Sequence, residues 1–366
     1  METDFVRVAK RENNNKRKYL VVNRFQGKHV PAAPSKTLEM FDCLAEKVTK
    51  EYKNEKILLI GFAETATAIG ARLAVKTGFS YIQTTREDIY DVEYLYFTES
   101  HSHATEQKLV KTDLDKVIDK INRIVFVEDE ITTGNTILKI IRIIKNIYSD
   151  KLRFSVASIL NGMDKDSINK YDLLDIRIHY LLKTDHSGYG QIADNYRGDG
   201  KYYPVSCKDG NINIKEYEVN GYINARRLTS GDVYKNACEF LWSRIKEQIN
   251  VDKKGTMLII GTEEFMYPAI YVAYMFEKSG FNVKCHSTTR SPIEVSTEEE
   301  YPLHTRFELY SVYDDNRQTF IYDLDKYDKV VIITDSANES EKGINSLINA
   351  TVKCKNTDVT LVRWCE

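Results

Sequence analysis

Short apolar runs recur along the chain and alternate with longer stretches whose apolar residues return every three or four positions. The runs at 57–60, 124–127 and 154–160, with a further one near Tyr81, read as buried strands. Between them the spacing predicts helices over about 65–76 and 136–148. The rhythm returns in the second half, with a helix at about 232–248, a strand at 257–260, a helix at about 268–278 and a strand at 330–333. Strands that are apolar throughout, alternating with helices, specify an α/β fold with a mostly parallel sheet covered on both faces. Residues 1–17 are polar and basic and read as an arm, with order expected from Tyr19. Polar, glycine-bearing residues with Pro204 occupy 188–221. The expected organisation is therefore an arm (1–17), a first domain (18–205), a junction (206–220) and a second domain (221–366).

The two halves resemble each other. Gly61-Phe-Ala-Glu64 before a helix, then Gly78-Phe79 and Thr84-Thr85-Arg86, parallels Gly261-Thr-Glu-Glu264 before a helix, then Gly280-Phe281 and Thr288-Thr289-Arg290. Val127-Glu128-Asp129 likewise matches Ile333-Thr334-Asp335. The expectation is one α/β plan used twice, with part of its site lost in the second copy. Shared strand order in the two halves is what this requires.

Composition narrows the function. The chain has 366 residues, 52 basic against 54 acidic side chains, and a net charge of −2, which gives no general grip on a phosphate backbone or an anionic membrane. Nucleic acid is thus not the expected partner. No apolar stretch approaches the roughly 20 residues of a spanning helix, and the first residues lack the apolar core of an export signal. A cytoplasmic location follows as the expectation. Six cysteines without a C-x-x-C pair argue against a structural zinc site or a disulfide framework.

The densest chemistry lies at 124–136, where an apolar strand runs into Glu128-Asp129-Glu130-Ile131 and then Thr132-Thr133-Gly134-Asn135-Thr136 at a helix start. Backbone N–H groups and threonine hydroxyls at a helix N-terminus favour an anion such as a terminal phosphate, by about 0.3–1 kcal/mol from the dipole. Adjacent carboxylates at the strand end can accept hydrogen bonds from a vicinal diol, as in a ribose. Gly134 permits a tight turn. A metal-binding strand of a P-loop nucleotidase fits less well, since no G-x-x-x-x-G-K-[ST] occurs. A response-regulator receiver, the other alternative, does not continue into Thr-Thr-Gly-Asn-Thr.

This segment resembles the 5-phosphoribosyl-1-pyrophosphate (PRPP) loop of the type I phosphoribosyltransferases, in its apolar strand, acidic pair and Thr-Gly-Asn-Thr turn. The resemblance implies roles for particular residues. Glu128 and Asp129 would take the ribose diol, and Thr132, Thr133, Gly134, Asn135 and Thr136 the 5′-phosphate. An upstream loop, Ala63, Glu64, Thr65 and Ala66, would face pyrophosphate. A flap over 84–111 would cover the reacting centre, with Arg86, His101, His103 and Lys108 as cationic or proton-transferring candidates; its H-x-H run can instead ligate a metal. Lys28, His29, Tyr189 and Tyr196 are candidates to hold the acceptor. Mg²⁺ would arrive with PRPP, without a dedicated protein site.

Gly27-Lys28-His29, the Ser-His-Ala run and Thr289-Arg290-Ser291-Pro292 are together similar to a bacterial two-domain family, in which an orotate-type phosphoribosyltransferase domain precedes a domain named for its Thr-Arg-Ser-Pro (TRSP) motif. The resemblance implies a place beside ATP-grasp and phosphatase-like enzymes in tellurite-resistance and stress clusters, and synthesis of a nucleoside-like metabolite. In the second half Glu263, Glu264, Thr289, Arg290, Ser291 and Asp335 remain as candidate ligand contacts, with Arg290 suited either to an anion or to an ion pair with Glu263 or Glu264. One acid and the Thr-Gly turn are missing there, so a second PRPP site is not expected. The competing reading of the chain is a PRPP sensor without turnover. A homodimer is left open.

Overall fold

A computed structural model describes residues 5–12, 14, 17–98, 106–148, 151–206, 214–249, 255–337 and 340–365. The chain divides into two compact units: the first comprises residues 38–186 and 223–236, the second residues 1–37, 187–222 and 237–366. The boundaries expected from the sequence follow the chain linearly, whereas these units do not. Strand β1 (Val6–Lys10) pairs antiparallel with β2 (Tyr19–Asn23), in place of the expected arm. Its apolar residues Val6 and Ala9 are buried, Ala9 in a cluster with Leu20 and Val22 of β2.

The first unit is built on a sheet of order β12-β4-β3-β7-β8-β9, formed by β3 (Ile57–Gly61), β4 (Ser80–Gln83), β7 (Arg123–Ile131), β8 (Arg153–Asn161), β9 (Arg177–Lys183) and β12 (Thr229–Ser230). All neighbours are parallel except β12 and β4. Most of helix α1 (Pro34–Glu51), α2 (Thr67–Thr77), α3 (Lys111–Val117), α4 (Asn135–Ile147) and α5 (Lys165–Leu173) accompany it. β3 is buried along its whole length, as a parallel strand covered on both faces must be. α4 buries Ile137, Leu138, Ile140, Ile141 and Ile144, a one-sided stripe at helical spacing whose side chains each contribute about 1.5–3 kcal/mol. The polar segment expected to be a flap contains an antiparallel hairpin, β5 (Tyr94–Thr98) and β6 (Glu106–Val110). Alternation within Tyr94-Leu-Tyr-Phe makes β5 a strand, with Leu95, Phe97, Leu109 and Val110 buried.

The second unit carries a five-stranded parallel sheet of order β11-β18-β17-β13-β14, from β11 (Lys215–Val219), β13 (Thr256–Gly261), β14 (Asn282–Ser287), β17 (Lys329–Thr334) and β18 (Val359–Trp364). A smaller sheet joins β10 (Lys201–Tyr203), β15 (Thr305–Tyr310) and β16 (Gln318–Tyr322). The helices are α6 (Tyr189–Asn195), most of α7 (Gly231–Gln248), α8 (Tyr267–Lys278) and α9 (Glu341–Lys353).

The strand orders answer the question of an internal repeat. β4-β3-β7-β8 in the first unit and β14-β13-β17-β18 in the second have the same order and the same parallel sense. Each unit also has an antiparallel hairpin between its second and third matched strands, β5–β6 and β15–β16. Matching bonds tie the same residues. Thr84 N donates to Gly61 O (2.9 Å) as Thr288 N does to Gly261 O (3.1 Å), and Ala63 N donates to Thr84 Oγ1 (2.8 Å) as Glu263 N does to Thr288 Oγ1 (3.0 Å). The plan is used twice.

Candidate active site

In the first unit the chain runs from β3 outward to β4, then returns to the other side of β3 with β7 and on to β8. This reversal opens a crevice at the carboxyl ends of β3 and β7, where open parallel sheets bind ligands. Both loops singled out in the sequence leave from that edge. Residues 62–66 connect β3 to α2, and 132–134 connect β7 to α4.

The loop after β3 is internally tied. Phe62 N donates to Val127 O (3.0 Å), Ala66 N to Phe62 O (3.0 Å), and the Thr67 hydroxyl to Glu64 O (3.2 Å). Ala63, Glu64 and Ala66 are buried, and Thr65 is half-buried. The loop after β7 turns at Gly134, with φ of +67°, and its carbonyl accepts from Leu138 N and from the buried Tyr171 hydroxyl at 2.7 Å. A Cβ at Gly134 would meet the Tyr171 ring, so a left-handed turn and a close approach both demand glycine. Thr132, Thr133 and Thr136 are half-buried and Asn135 is exposed, ranged around the first turn of α4, where helix N–H groups lack intrahelical partners.

Three acids stand in succession on β7, and strand alternation separates Asp129 from Glu128 and Glu130. The Thr65 side chain hydrogen-bonds Asp129, which ties the loop after β3 to the end of β7. Burial, and then the neighbouring Glu130, raise the Asp129 pKa to about 6 against that bond. On the other side Glu130 lies 3.4 Å from His186, which also shares a 2.8 Å hydrogen bond with Thr184. Burial, reinforced by Glu128, pushes the Tyr171 hydroxyl far above its ordinary range, so it stays a donor to Gly134.

Of the flap candidates, Arg86 is half-buried beyond β4, and Lys108 lies on β6, ion-paired with Asp88 and 5.3 Å from the centre of the Tyr94 ring. His101 and His103 lie outside the described residues. Of the acceptor candidates, Lys28 is fully buried in the second unit and its ammonium donates to the carbonyls of Glu263 (2.9 Å) and Thr288 (2.8 Å). His29 is buried. Tyr189 and Tyr196 also fall in the second unit, edge-on to Tyr19 and Tyr301. The sequence offered these four as acceptor contacts; in the structure all four fall in the second unit, Lys28 and His29 buried and Tyr189 and Tyr196 half-buried.

The corresponding edge of the second unit is occupied by its own side chains. The Glu263 carboxylate accepts from Ser311 Oγ and Arg290 Nε, both at 2.5 Å, and lies 3.3 Å from Arg317. Arg290 also reaches Glu264 at 3.5 Å. Asp335 accepts from the hydroxyls of Tyr222 (2.7 Å) and Tyr313 (2.5 Å), and Thr289 is fully buried with its hydroxyl accepting from Ser291 N (3.2 Å). Arg290 thus makes the ion pair with Glu263 that was one of the two arrangements open to it. Reasoning from sequence missed Thr84, Gln107, Tyr171 and the Glu130–His186 contact. Thr84 carried a signal in the repeated Thr-Thr-Arg; Tyr171 carried none.

Residues 5–186 match the family model described as phosphoribosyl transferase, and residues 230–351 match the TRSP domain that lies C-terminal to it. The chain belongs to this two-domain phosphoribosyl transferase family. Its first unit is an α/β unit built on a mostly parallel sheet. Solved structures similar to it include adenine phosphoribosyltransferase from Saccharomyces cerevisiae complexed with D-DIAB and adenine (14% identity, 49% of this chain and 94% of that chain, TM-score 0.33). Another is that from Giardia lamblia complexed with 9-deazaadenine (15% identity, 51% and 99% covered, TM-score 0.34). A third is that from Trypanosoma brucei in complex with AMP, pyrophosphate and ribose-5-phosphate (13% identity, 50% and 77% covered, TM-score 0.34). No curated protein matches the chain.

Proposed function

We propose that the first unit of this family member transfers the 5-phosphoribosyl group of PRPP to a small-molecule acceptor and releases pyrophosphate. The observation that carries this reading is the bond from Thr65, in the loop after β3, to Asp129, near the carboxyl end of β7, which holds that loop against the strand that bears the acids. Glu128 and Asp129 accept from the ribose hydroxyls, the amides and hydroxyls of 132–136 hold the 5′-phosphate, and the amides of 63–66 hold the pyrophosphate. As the acceptor's lone pair forms a bond to ribose C1, the C1–O bond breaks, its electrons leave with pyrophosphate, and the acceptor gives up a proton. Holding both ends of PRPP in line lowers the barrier by positioning. Arg86 and Lys108 supply positive charge from the flap side.

Mg²⁺ when bound neutralises the leaving pyrophosphate. Glu64, Glu128 and Asp129 are hard oxygen donors that would suit it, and the reading is of an ion that arrives with PRPP. The second unit acts as an accessory domain, because its matched acidic pair is reduced to Asp335, which is bonded by Tyr222 and Tyr313, and its Glu263 is paired with Arg290. Synthesis of a nucleoside-like metabolite in the cytoplasm, beside ATP-grasp and phosphatase-like enzymes in tellurite and stress responses, rests on family resemblance. Among the described residues no helix is long and apolar enough to cross a membrane.

Calorimetric titration of PRPP with Mg²⁺ tests the reading. One equivalent per chain is expected for the wild type and none for Glu128→Gln/Asp129→Asn; a folded wild type that takes up no PRPP would remove the transferase reading.

A further inference from the structure

The carbonyl of Ala63 and the N–H of Glu64 belong to one peptide unit, which is rigid and planar, so whatever fixes the carbonyl also aims the N–H. That N–H lies in the loop assigned above to pyrophosphate. The carbonyl is held by the flap hairpin: Gln107 on β6 donates from Nε2 to Ala63 O at 2.6 Å. The same amide accepts at Oε1 from the Thr84 hydroxyl at 2.5 Å, and Thr84 Oγ1 accepts from Ala63 N at 2.8 Å. Three bonds thus close a ring through Ala63, Thr84 and Gln107, and all three residues are at most 4% exposed. Phe62 and Phe97 of β5 add an edge-on ring contact at 5.7 Å, and Thr85 and Lys108 exchange backbone bonds of 2.8 and 2.9 Å.

Only a side chain that both donates and accepts can sit in this ring, and an amide does so without charge. We propose that Gln107 is a positioning residue for the pyrophosphate loop, aiming the Glu64 N–H through the Ala63 carbonyl. The inference rests on the PRPP reading of that loop. The ring engages the loop after β3, so its effect is expected at the pyrophosphate end of the ligand.

The experiment is calorimetric titration of the full chain, with Mg²⁺ present, by two separate probes, inorganic pyrophosphate and ribose 5-phosphate. Gln107→Glu removes the donor and Gln107→Met removes both hydrogen-bonding functions at similar size. Both variants are expected to bind pyrophosphate about tenfold more weakly, the scale of one misaligned hydrogen bond, with ribose 5-phosphate affinity unchanged. Equal weakening of both probes would mean general disruption and overturn the proposal, as would unchanged pyrophosphate affinity in both variants. A wild type that binds ribose 5-phosphate but not pyrophosphate overturns the proposal and leaves the sugar-phosphate site standing, whereas a wild type that binds neither removes the transferase reading itself.

Discussion

At the scale of single residues, Asp129 shows how burial prepares a carboxylate. Its pKa is raised to about 6 by desolvation and then by Glu130, so between about pH 4 and 6 the folded chain keeps a proton that the unfolded chain has lost. Stability from this group is fully present below the ordinary carboxylate pKa and declines as pH rises through 6, by at most about 3 kcal/mol. Asp129→Asn removes the titration. The variant is expected to melt higher than the wild type at about pH 8, with the difference closing below about pH 4; melting curves across that range decide it, and parallel curves would refute the assignment.

At the scale of elements, the turn from β7 into α4 is set by its contact with Tyr171 of α5 as much as by its own sequence. Gly134 needs a positive φ, and its Cβ position is taken by the Tyr171 ring. Gly134→Ala is expected to lower stability by about 1–3 kcal/mol through backbone strain and overlap, and to weaken ribose 5-phosphate binding. Denaturant titration and calorimetry measure the two effects, and Gly134→Ala/Tyr171→Phe should recover little because φ remains unfavourable. The glycine itself was legible in the sequence as part of the Thr-Gly-Asn-Thr turn. Its partner was not, because Tyr171 lies 37 positions away and shows no local pattern that marks it off from the other tyrosines.

At the scale of the whole molecule, each unit is assembled from separated segments. Residues 223–236 complete the first unit: β12 pairs with β4, Gln83 N donates to Ala225 O (2.9 Å), and Arg227 grips Asp113 through two bonds. Burial would raise the Asp113 pKa, but bonds from Arg227, Lys116 and Leu228 N outweigh it and hold the carboxyl far below its usual range. A chain of residues 18–205, the linear domain expected from the sequence, lacks these partners and leaves the β4 edge and Asp113 uncovered. Loss of a cooperative calorimetric transition is the expected outcome. A cut chain that melts sharply near the temperature of the intact one would show that 223–236 is dispensable.

The sequence by itself determined the α/β class, the strands at 57–60, 124–127, 257–260 and 330–333, the Thr-Gly-Asn-Thr turn and the internal repeat. Each is a local matter of apolar run, helical period or turn residue. Tertiary structure alone decided what these elements meet. It paired Thr65 with Asp129, Glu130 with His186 and Gln107 with Ala63, buried Lys28 in the second unit, and filled that unit's edge with Glu263 and two tyrosine hydroxyls. Those contacts join residues far apart in the chain, and no local preference encodes them; in the first unit strand order sets the ends of β3 and β7 side by side, which is what brings Thr65 to Asp129.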